Sequence, residues 1–300
     1  MGGVSGEREI SLESGKAVAG GLRSAGLQVA EVVVTDRRLS AMNEVRCDIA
    51  FIALHGPFGE DGGVQAILES QDIPYTGSGV AASMRAMDKA LSKRIFQARG
   101  IPTPAYEVMN GSSDSPSPKE LGEKLLFPLV VKPAREGSSL GVNLADGVEE
   151  LVCAMEVAHG FGPVSIVEKY AKGRELTVGI LEETTLPIIE LKPKRPFFDF
   201  AAKYEDGLTE YVVEPDLPGG VCAEVEETAM KAFRALGCTG FGRVDMILSE
   251  SNEPLVLEVN TIPGFTRHSL VPMAAKAAGI GFPELCCRIV ELALDEAGRI

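Results

Sequence analysis

The sequence predicts an α/β chain that passes into α+β: an open parallel sheet layered with helices, followed by antiparallel strands. Three observations carry this prediction. Helical and strand-like stretches alternate through residues 1–86, the rhythm of an open α/β sheet. From residue 129 onward, short β-rich runs follow one another with turns between them, which favours antiparallel pairing. The 300 residues, 45% hydrophobic and 24% charged, suffice for packed cores in two or three domains.

In chain order, Val18, Leu22 and Ala25 fall at helical spacing and predict a helix from Ile10 to Gly26. Gln28–Val34 and Asp48–Leu54 are β-rich and predict buried parallel strands. Asp61-Gly62-Gly63 opens a helix toward Ser70, and Gly77–Ala82 reads as a tight turn into another. Asp88–Arg99 is a short amphipathic helix ending at Gly100, before Ile101-Pro102. Asn110–Pro118 is Ser/Pro-rich and predicts an exposed loop. Strands are expected at Leu129–Lys132 and Val142–Leu144, flanking the loop Arg135–Gly141, and a helix over Val148–Ala158. Ser165–Lys169, Glu175–Leu181 and Leu186–Leu191 predict further strands. Lys192–Leu208 has no period and carries Pro193 and Pro196, so a long loop is expected. Val225, Ala229, Ala232, Phe233 and Leu236 mark a helix, Arg243–Leu248 and Leu255–Asn260 two strands, and Phe282, Leu285, Ile289 and Leu292 a closing helix.

Composition excludes several function classes. With 43 acidic and 29 basic residues the formal charge is −14, which repels nucleic acid from most of the surface. The longest apolar run, Ile49–Leu54, is far short of the ~20 residues of a membrane span. The first residues carry no apolar signal segment. Six cysteines form no C-x-x-C and no zinc spacing, so free thiols in a reducing cytoplasm are expected.

Two constellations could carry chemistry. Side chains alternate across a strand, so Arg243 and Asp245 share one face of the first late strand, and Val256, Glu258 and Asn260 one face of the second. A short connection at Asn252-Glu253-Pro254 makes the two strands an antiparallel hairpin, with Val244, Met246, Leu255, Leu257 and Val259 on its other face. Asp245, Glu258 and Asn260 then converge as hard oxygen ligands, the kind Mg²⁺ takes while leaving places for phosphate oxygens. The alternative is a solvated outer sheet face. The second constellation is Lys132–Gly141, a loop of two glycines and two serines whose backbone N–H groups can approach phosphates beside Lys132; its alternative is a surface hairpin. The Walker pattern and G-x-S-x-G are both absent. Gly77–Ala82 matches a dinucleotide fingerprint only weakly, because Pro74 interrupts the preceding strand. His55 sits at the C-terminal end of an expected strand, where open α/β sheets bind ligands. Together these features point to Mg²⁺-dependent use of a nucleoside triphosphate without a P-loop.

The residues also resemble a known family. Gly2–Leu12, Leu54–Gly62, Pro74–Gly79, Met87-Asp88-Lys89, Lys132–Gly141, Asp199–Tyr204, Gly242–Asp245, Glu258–Thr266 and His268–Pro272 are similar, in order, to the motifs of the D-alanine–D-alanine ligases of the ATP-grasp superfamily. The resemblance implies the ATP-grasp fold in three parts: an N-terminal α/β substrate domain (1–86), a central subdomain (87–172) and a C-terminal subdomain with metal site and lid loop (173–300). It implies a cytoplasmic homodimer that joins two D-alanines with ATP through an acyl phosphate, for peptidoglycan precursor synthesis. The family has a β-strand just before the Gly2-Gly3 turn, which predicts a strand encoded upstream of Met1. Ligases that take D-lactate or D-serine as second substrate, or a non-catalytic nucleotide-binding relative, are the alternatives.

Residue by residue, the resemblance implies that Lys89 and Lys132 hold the ATP phosphates and Lys203 the γ-phosphate. Glu168 and the backbone from Lys169 to Ala171 would meet the adenine, and Glu175 the ribose. Asp245, Glu258 and Asn260 would bind two Mg²⁺, with Mn²⁺ as an alternative ion. Glu7 would pair with the first D-alanine's ammonium, with His55 nearby. Arg243 and the Gly264 N–H would face the oxyanion. Ser269 and Leu270 would receive the second carboxylate. Ser138 and Tyr204 would order the first substrate with Glu7, and Tyr at 204 goes with D-alanine rather than D-lactate as second substrate.

Overall fold

The structure, a computed structural model, describes residues 1–42, 45–111, 115–194, 209–266 and 269–298. The N-terminal part is built on helix α1 (Arg8–Ser24), which turns Ser11, Ser14, Val18 and Leu22 inward. It continues through α2 (Gly63–Ser70) and α3 (Val80–Met87) into α4 (Lys89–Ala98). The strands expected at Gln28–Val34 and Asp48–Leu54 do not form ladders. Their parallel sense survives only in isolated bridges, Gly2 with Val34 and Ala50 with Tyr75. Both segments line an apolar cavity of about 180 Å³, together with Met1, Val18, Leu22 and Leu68. The backbone bonds of these segments go to other stretches and are too few to extend a ladder: Val34 N–H to Met1 O, Gly3 N–H to Val34 O, Ala50 N–H to Pro74 O and Thr76 N–H to Ala50 O.

Past α4, the chain forms two antiparallel sheets. In the first, β1 (Tyr106–Met109), β2 (Leu129–Pro133), β3 (Asn143–Ala145) and β4 (Ser165–Lys169) lie in the order β1-β4-β2-β3. Helices α5 (Pro118–Leu125) and α6 (Val148–His159) pack on it around Met109, Leu121, Leu129, Val131, Leu151 and Val167. Neither β1 nor α5 was expected from the periodicity. The signal for α5 is nevertheless in the chain: Ser117 accepts the Glu120 N–H, Glu120 accepts the Ser117 N–H at 2.7 Å, and Pro118 opens the helix.

The second sheet holds β5 (Gly173–Leu181), β6 (Thr184–Thr185), β7 (Ile189–Pro193), β8 (Thr209–Val213), β9 (Phe241–Ser249) and β10 (Pro254–Asn260). Its order is β10-β9-β5-β7-β8, with β6 on β5. The strand expected over Leu186–Leu191 thus begins at Ile189, and Lys192 and Pro193 close this strand instead of opening a loop. The rest of that expected loop lies almost wholly outside the described residues. Helix α7 (Val221–Ala235) covers one face of the sheet through Val225, Ala229 and Phe233 against Val178, Val244, Met246 and Val256. Gly242 permits this approach: a Cβ there would lie 2.5 Å from the Phe233 ring and 3.0 Å from the Asn260 carbonyl oxygen. Helices α8 (Leu270–Ala277) and α9 (Phe282–Glu296) join α1 in a second core containing Val18, Leu22, Phe265, Val271, Leu285 and Ile289.

The β9–β10 hairpin forms as the alternation predicts, with one correction. Val256 pairs with Met246, but Glu258 pairs with Asp245, so Leu257 is an extra residue in a β-bulge. The bulge reverses the alternation. Val256 is buried with Val244 and Met246 in the core, while Leu257 lines the opposite, open side with Glu258. Leu255 likewise leaves the apolar face and is only partly buried.

Phe233 is 2% exposed and supports the strand that carries Arg243 and Asp245. Phe233→Ala should therefore destabilise the chain by about 3–5 kcal/mol. A urea unfolding midpoint unchanged from wild type would contradict this packing role.

Candidate active site

The bulged hairpin places Asp245 directly opposite Glu258, and Arg243 opposite Asn260. Two carboxylates facing each other across a ladder repel, and cations answer each of them. Arg243 grips Asp245 with Nε to Oδ1 at 2.8 Å and its other nitrogen to Oδ2 at 2.7 Å. The Thr177 hydroxyl donates to Asp245 Oδ1 at 2.6 Å, and the Asn260 amide to Oδ2 at 3.0 Å. Glu258 meets the Lys89 ammonium at 3.2 Å. Lys89 is the first residue of α4, fixed there because the Asp88 side chain caps the helix by accepting the Leu91 N–H. Its Nζ also donates to the Glu136 carbonyl at 2.6 Å, tying the helix start to the loop after β2.

A cavity of about 420 Å³ opens on one side of this acid pair. Lys89, Lys132, Glu168, Lys169, Ala171 and Glu175 line it, with Tyr170 and Leu257 as apolar wall. The Glu168 carboxylate is buried and receives Lys132 at 3.0 Å and Lys93 at 3.2 Å. Burial opposes its charge, but the two ammoniums outweigh that and hold its carboxyl below the ordinary range. Burial also opposes the Lys132 charge, and Glu168, with Glu258 and Glu175 beyond it, outweighs it and raises the ammonium pKa. Lys93 is fully buried; desolvation brings it down to about 8 against the pull of Glu168. Its Nζ donates to Thr103 at 2.6 Å, and Thr103 to the Val256 carbonyl at 2.7 Å.

A second cavity of about 420 Å³ lies on the other side, lined by Glu7, His55, Glu60, Ser138, Arg243, Asn260, Gly264, Ser269 and Leu270. Ser138 donates to Glu7 from a loop in which Ser138 and Ser139 both hold left-handed backbone, at φ +51° and +56°. Such backbone costs about 1 kcal/mol or more per residue and persists where surrounding contacts over-determine it. Gly56 is required here: its φ is +73° and a Cβ would lie 2.4 Å from Glu7 Oε2. The Gly56 N–H donates to Glu60 at 2.6 Å. Gly264 and Ser269 are close, a Cβ on Gly264 lying 3.0 Å from Ser269 Oγ, and Ser269 accepts the Thr266 N–H at 2.9 Å. His55 lines the cavity, but both its ring nitrogens are already bonded within the protein, to Ile262 O and Ser14 Oγ.

Glu175, Leu191, Asp245 and Glu258 line both cavities, so the two spaces meet at the acid pair. A hard divalent cation fits the donor set at this junction: two carboxylates and an amide, with an arginine and a lysine neutralising the carboxylates. Among the described residues no group of three His, Cys, Asp or Glu converges.

The structure thus gathers every expected site residue that it describes around the two cavities. Lys203 and Tyr204 lie outside the described residues. Sequence reasoning missed Lys93, Thr177, Glu60 and Ser14. Lys93 left a trace: it falls three residues before Phe96, on the apolar stripe of α4, where a lysine must be paired. Lys93→Met should leave Glu168 with one cation and cost about 3–5 kcal/mol. A urea-derived stability within about 0.5 kcal/mol of wild type would contradict the buried ion triad.

The comparisons with known proteins agree along the whole chain. A family model described as D-ala D-ala ligase C-terminus matches residues 95–291, and one described as D-ala D-ala ligase N-terminus matches residues 32–78. A D-alanine–D-alanine ligase of Pelotomaculum thermopropionicum is 42% identical over 99% of this chain and 96% of its own length. The Bacillus anthracis D-alanine–D-alanine ligase, solved as a complex with ATP, superposes with a TM-score of 0.88 at 35% identity, covering 99% of this chain and 97% of that one. The VanG D-Ala:D-Ser ligase of Enterococcus faecalis gives 0.85 at 27% identity, covering 98% and 97%. The chain belongs to the D-alanine–D-alanine ligase family and has its ATP-grasp fold.

Proposed function

We propose that this chain joins two D-alanines into D-alanyl-D-alanine with ATP and Mg²⁺, supplying a peptidoglycan precursor. The observation that carries the reading is the junction of two cavities at Asp245 and Glu258. A nucleotide in the first cavity would direct its terminal phosphate at that junction. A carboxylate in the second would reach the same point, attack the γ-phosphate, and become an acyl phosphate as ADP leaves. The amine of the second D-alanine would then attack the acyl carbon and phosphate would depart.

In this reading Lys89, Lys132 and Lys203 hold phosphates, the adenine lies along 168–171, and Glu175 takes the ribose. Asp245, Glu258 and Asn260 hold Mg²⁺, which supplies charge neutralisation on the transferring phosphoryl group. Glu7, bonded by Ser138, would pair with the first ammonium, and Tyr204 would help order that substrate. Arg243 and the Gly264 N–H stabilise the oxyanion as preorganised donors, while Ser269 and Leu270 take the second carboxylate. The division into parts 1–86, 87–172 and 173–300 belongs to the same reading. So do the homodimer and the cytoplasmic location, with which six free cysteines agree. A second reading, with D-serine as second substrate, is supported by the likeness to the D-Ala:D-Ser ligase.

With purified protein, ATP and Mg²⁺, phosphate release should depend on D-alanine and not on L-alanine, and mass spectrometry should find D-alanyl-D-alanine. Mixed products in excess D-serine would favour the second reading. Nucleotide binding without turnover would overturn both.

Glu60 adds a pH dependence. Burial first, then the nearby Glu7 charge, holds its carboxyl well above the ordinary 4.5, against the Gly56 N–H and Arg243. The folded chain therefore keeps a proton that the unfolded chain has released. Stability contributed by this group is present below pH 4.5 and falls as pH rises toward the raised value. Glu60→Gln should remove that loss, so that in urea melts its stability relative to wild type rises from about pH 5 to about pH 8. Parallel curves would contradict a protonated Glu60.

A further inference from the structure

Ser14 has no role in the reading above, yet it is fully buried and carries three segments on one hydroxyl. Its Oγ accepts the Phe265 N–H at 3.1 Å and lies 3.0 Å from His55 Nε2. The direction of that second bond follows from the other side of the ring. His55 Nδ1 is 3.1 Å from the Ile262 carbonyl oxygen, which only accepts. Nδ1 therefore carries the ring proton, Nε2 presents a lone pair, and the Ser14 O–H donates to it. Burial lowers the His55 pKa to about 4, so the ring is neutral and this tautomer is fixed at neutral pH. The polar order is Phe265 N–H to Ser14 Oγ–H to His55 Nε2, then His55 Nδ1–H to Ile262 O.

This closed ring clamps both ends of the Ile262–Phe265 turn, whose third residue is Gly264. Its other two members come from outside the C-terminal sheet. Ser14 lies on α1, seven residues after Glu7 and so about two turns along the same face. His55 ends the segment that carries Gly56 against Glu7, and Ser5, in the turn just before α1, donates to the His55 carbonyl at 2.7 Å. The same side chains thus fix the Gly264 turn relative to Glu7.

We propose that Ser14 and His55 form one positioning unit that sets the Gly264 N–H against the acyl centre of the substrate anchored at Glu7. The inference rests on the proposed function, in which Gly264 faces the oxyanion. Neither residue touches the reacting atoms; both act through the turn. A displacement of about 1 Å at such a donor costs on the order of 100-fold in rate.

The test compares wild type, Ser14→Ala, His55→Asn, the double variant and Ser14→Thr, after wild type has been shown to make the dipeptide. Failure of wild type would sink the proposed function; the variants judge only the present inference. Each variant is first checked for ATP binding by calorimetry, and His55→Asn leaves α1 untouched should Ser14→Ala fold poorly. Ser14→Ala and His55→Asn should each lower kcat by about 10- to 100-fold with the KM for ATP unchanged. The double variant should be no worse than the poorer single one, because either change breaks the same ring. Ser14→Thr, which keeps the hydroxyl, should recover most of the rate. An unchanged kcat in both single variants, multiplicative losses in the double, or failure of Ser14→Thr to recover the rate would overturn the proposal.

Discussion

Asp245 and Glu258 face each other across adjacent strands, and much of the site can be traced to the repulsion between them. Like charges at opposed positions of a ladder are unfavourable unless cations share the space. Arg243 comes from two residues along the same strand, and Lys89 from the start of α4 in another part of the chain. Lys89 brings the Glu136 carbonyl with it, and so the loop whose Ser138 reaches Glu7. The acid pair is therefore the point on which the hairpin, the α4 start, the strained loop and α1 converge.

Charge balance in the nucleotide-side cavity follows the same logic in a drier setting. Glu168 holds Lys132 toward the cavity while Lys93 holds Glu168 from behind. A lone buried carboxylate or ammonium would shift its pKa and neutralise; the triad keeps Glu168 ionised and Lys132 charged. A chain with a formal charge of −14 can thus present a cationic surface to a polyphosphate within a few ångströms of its own carboxylates.

What could be read from the sequence was whatever repeats with a short period or forms a contiguous motif. The alternation of Arg243 with Asp245 and of Glu258 with Asn260 gave the hairpin and its polar face. The bulge at Leu257 was not legible, because one extra residue leaves no mark in composition and reverses the face only through pairing. Gln28–Val34 and Asp48–Leu54 have strand-like side chains, yet a ladder needs a run of paired residues, and each segment makes only an isolated bridge, at Val34 and at Ala50. Helix α5 was legible in Ser117-Pro118-Lys119-Glu120 as a capping box but sits inside a Ser/Pro-rich stretch that masks it. Ser14 carried no signal at all: its meaning depends on Phe265 and His55, far away in the chain.

The central claim is that a carboxylate in one cavity meets the terminal phosphate in the other at the acid pair, forming an acyl phosphate. ATP labelled with ¹⁸O at the β–γ bridge tests this most directly. With Mg²⁺ and D-alanine, reversible transfer should scramble the label into non-bridging positions of the β-phosphate, and Glu258→Gln should suppress the scrambling. Dipeptide formation by wild type with no D-alanine-dependent scrambling, under conditions that trap ADP on the enzyme long enough to reverse, would contradict it.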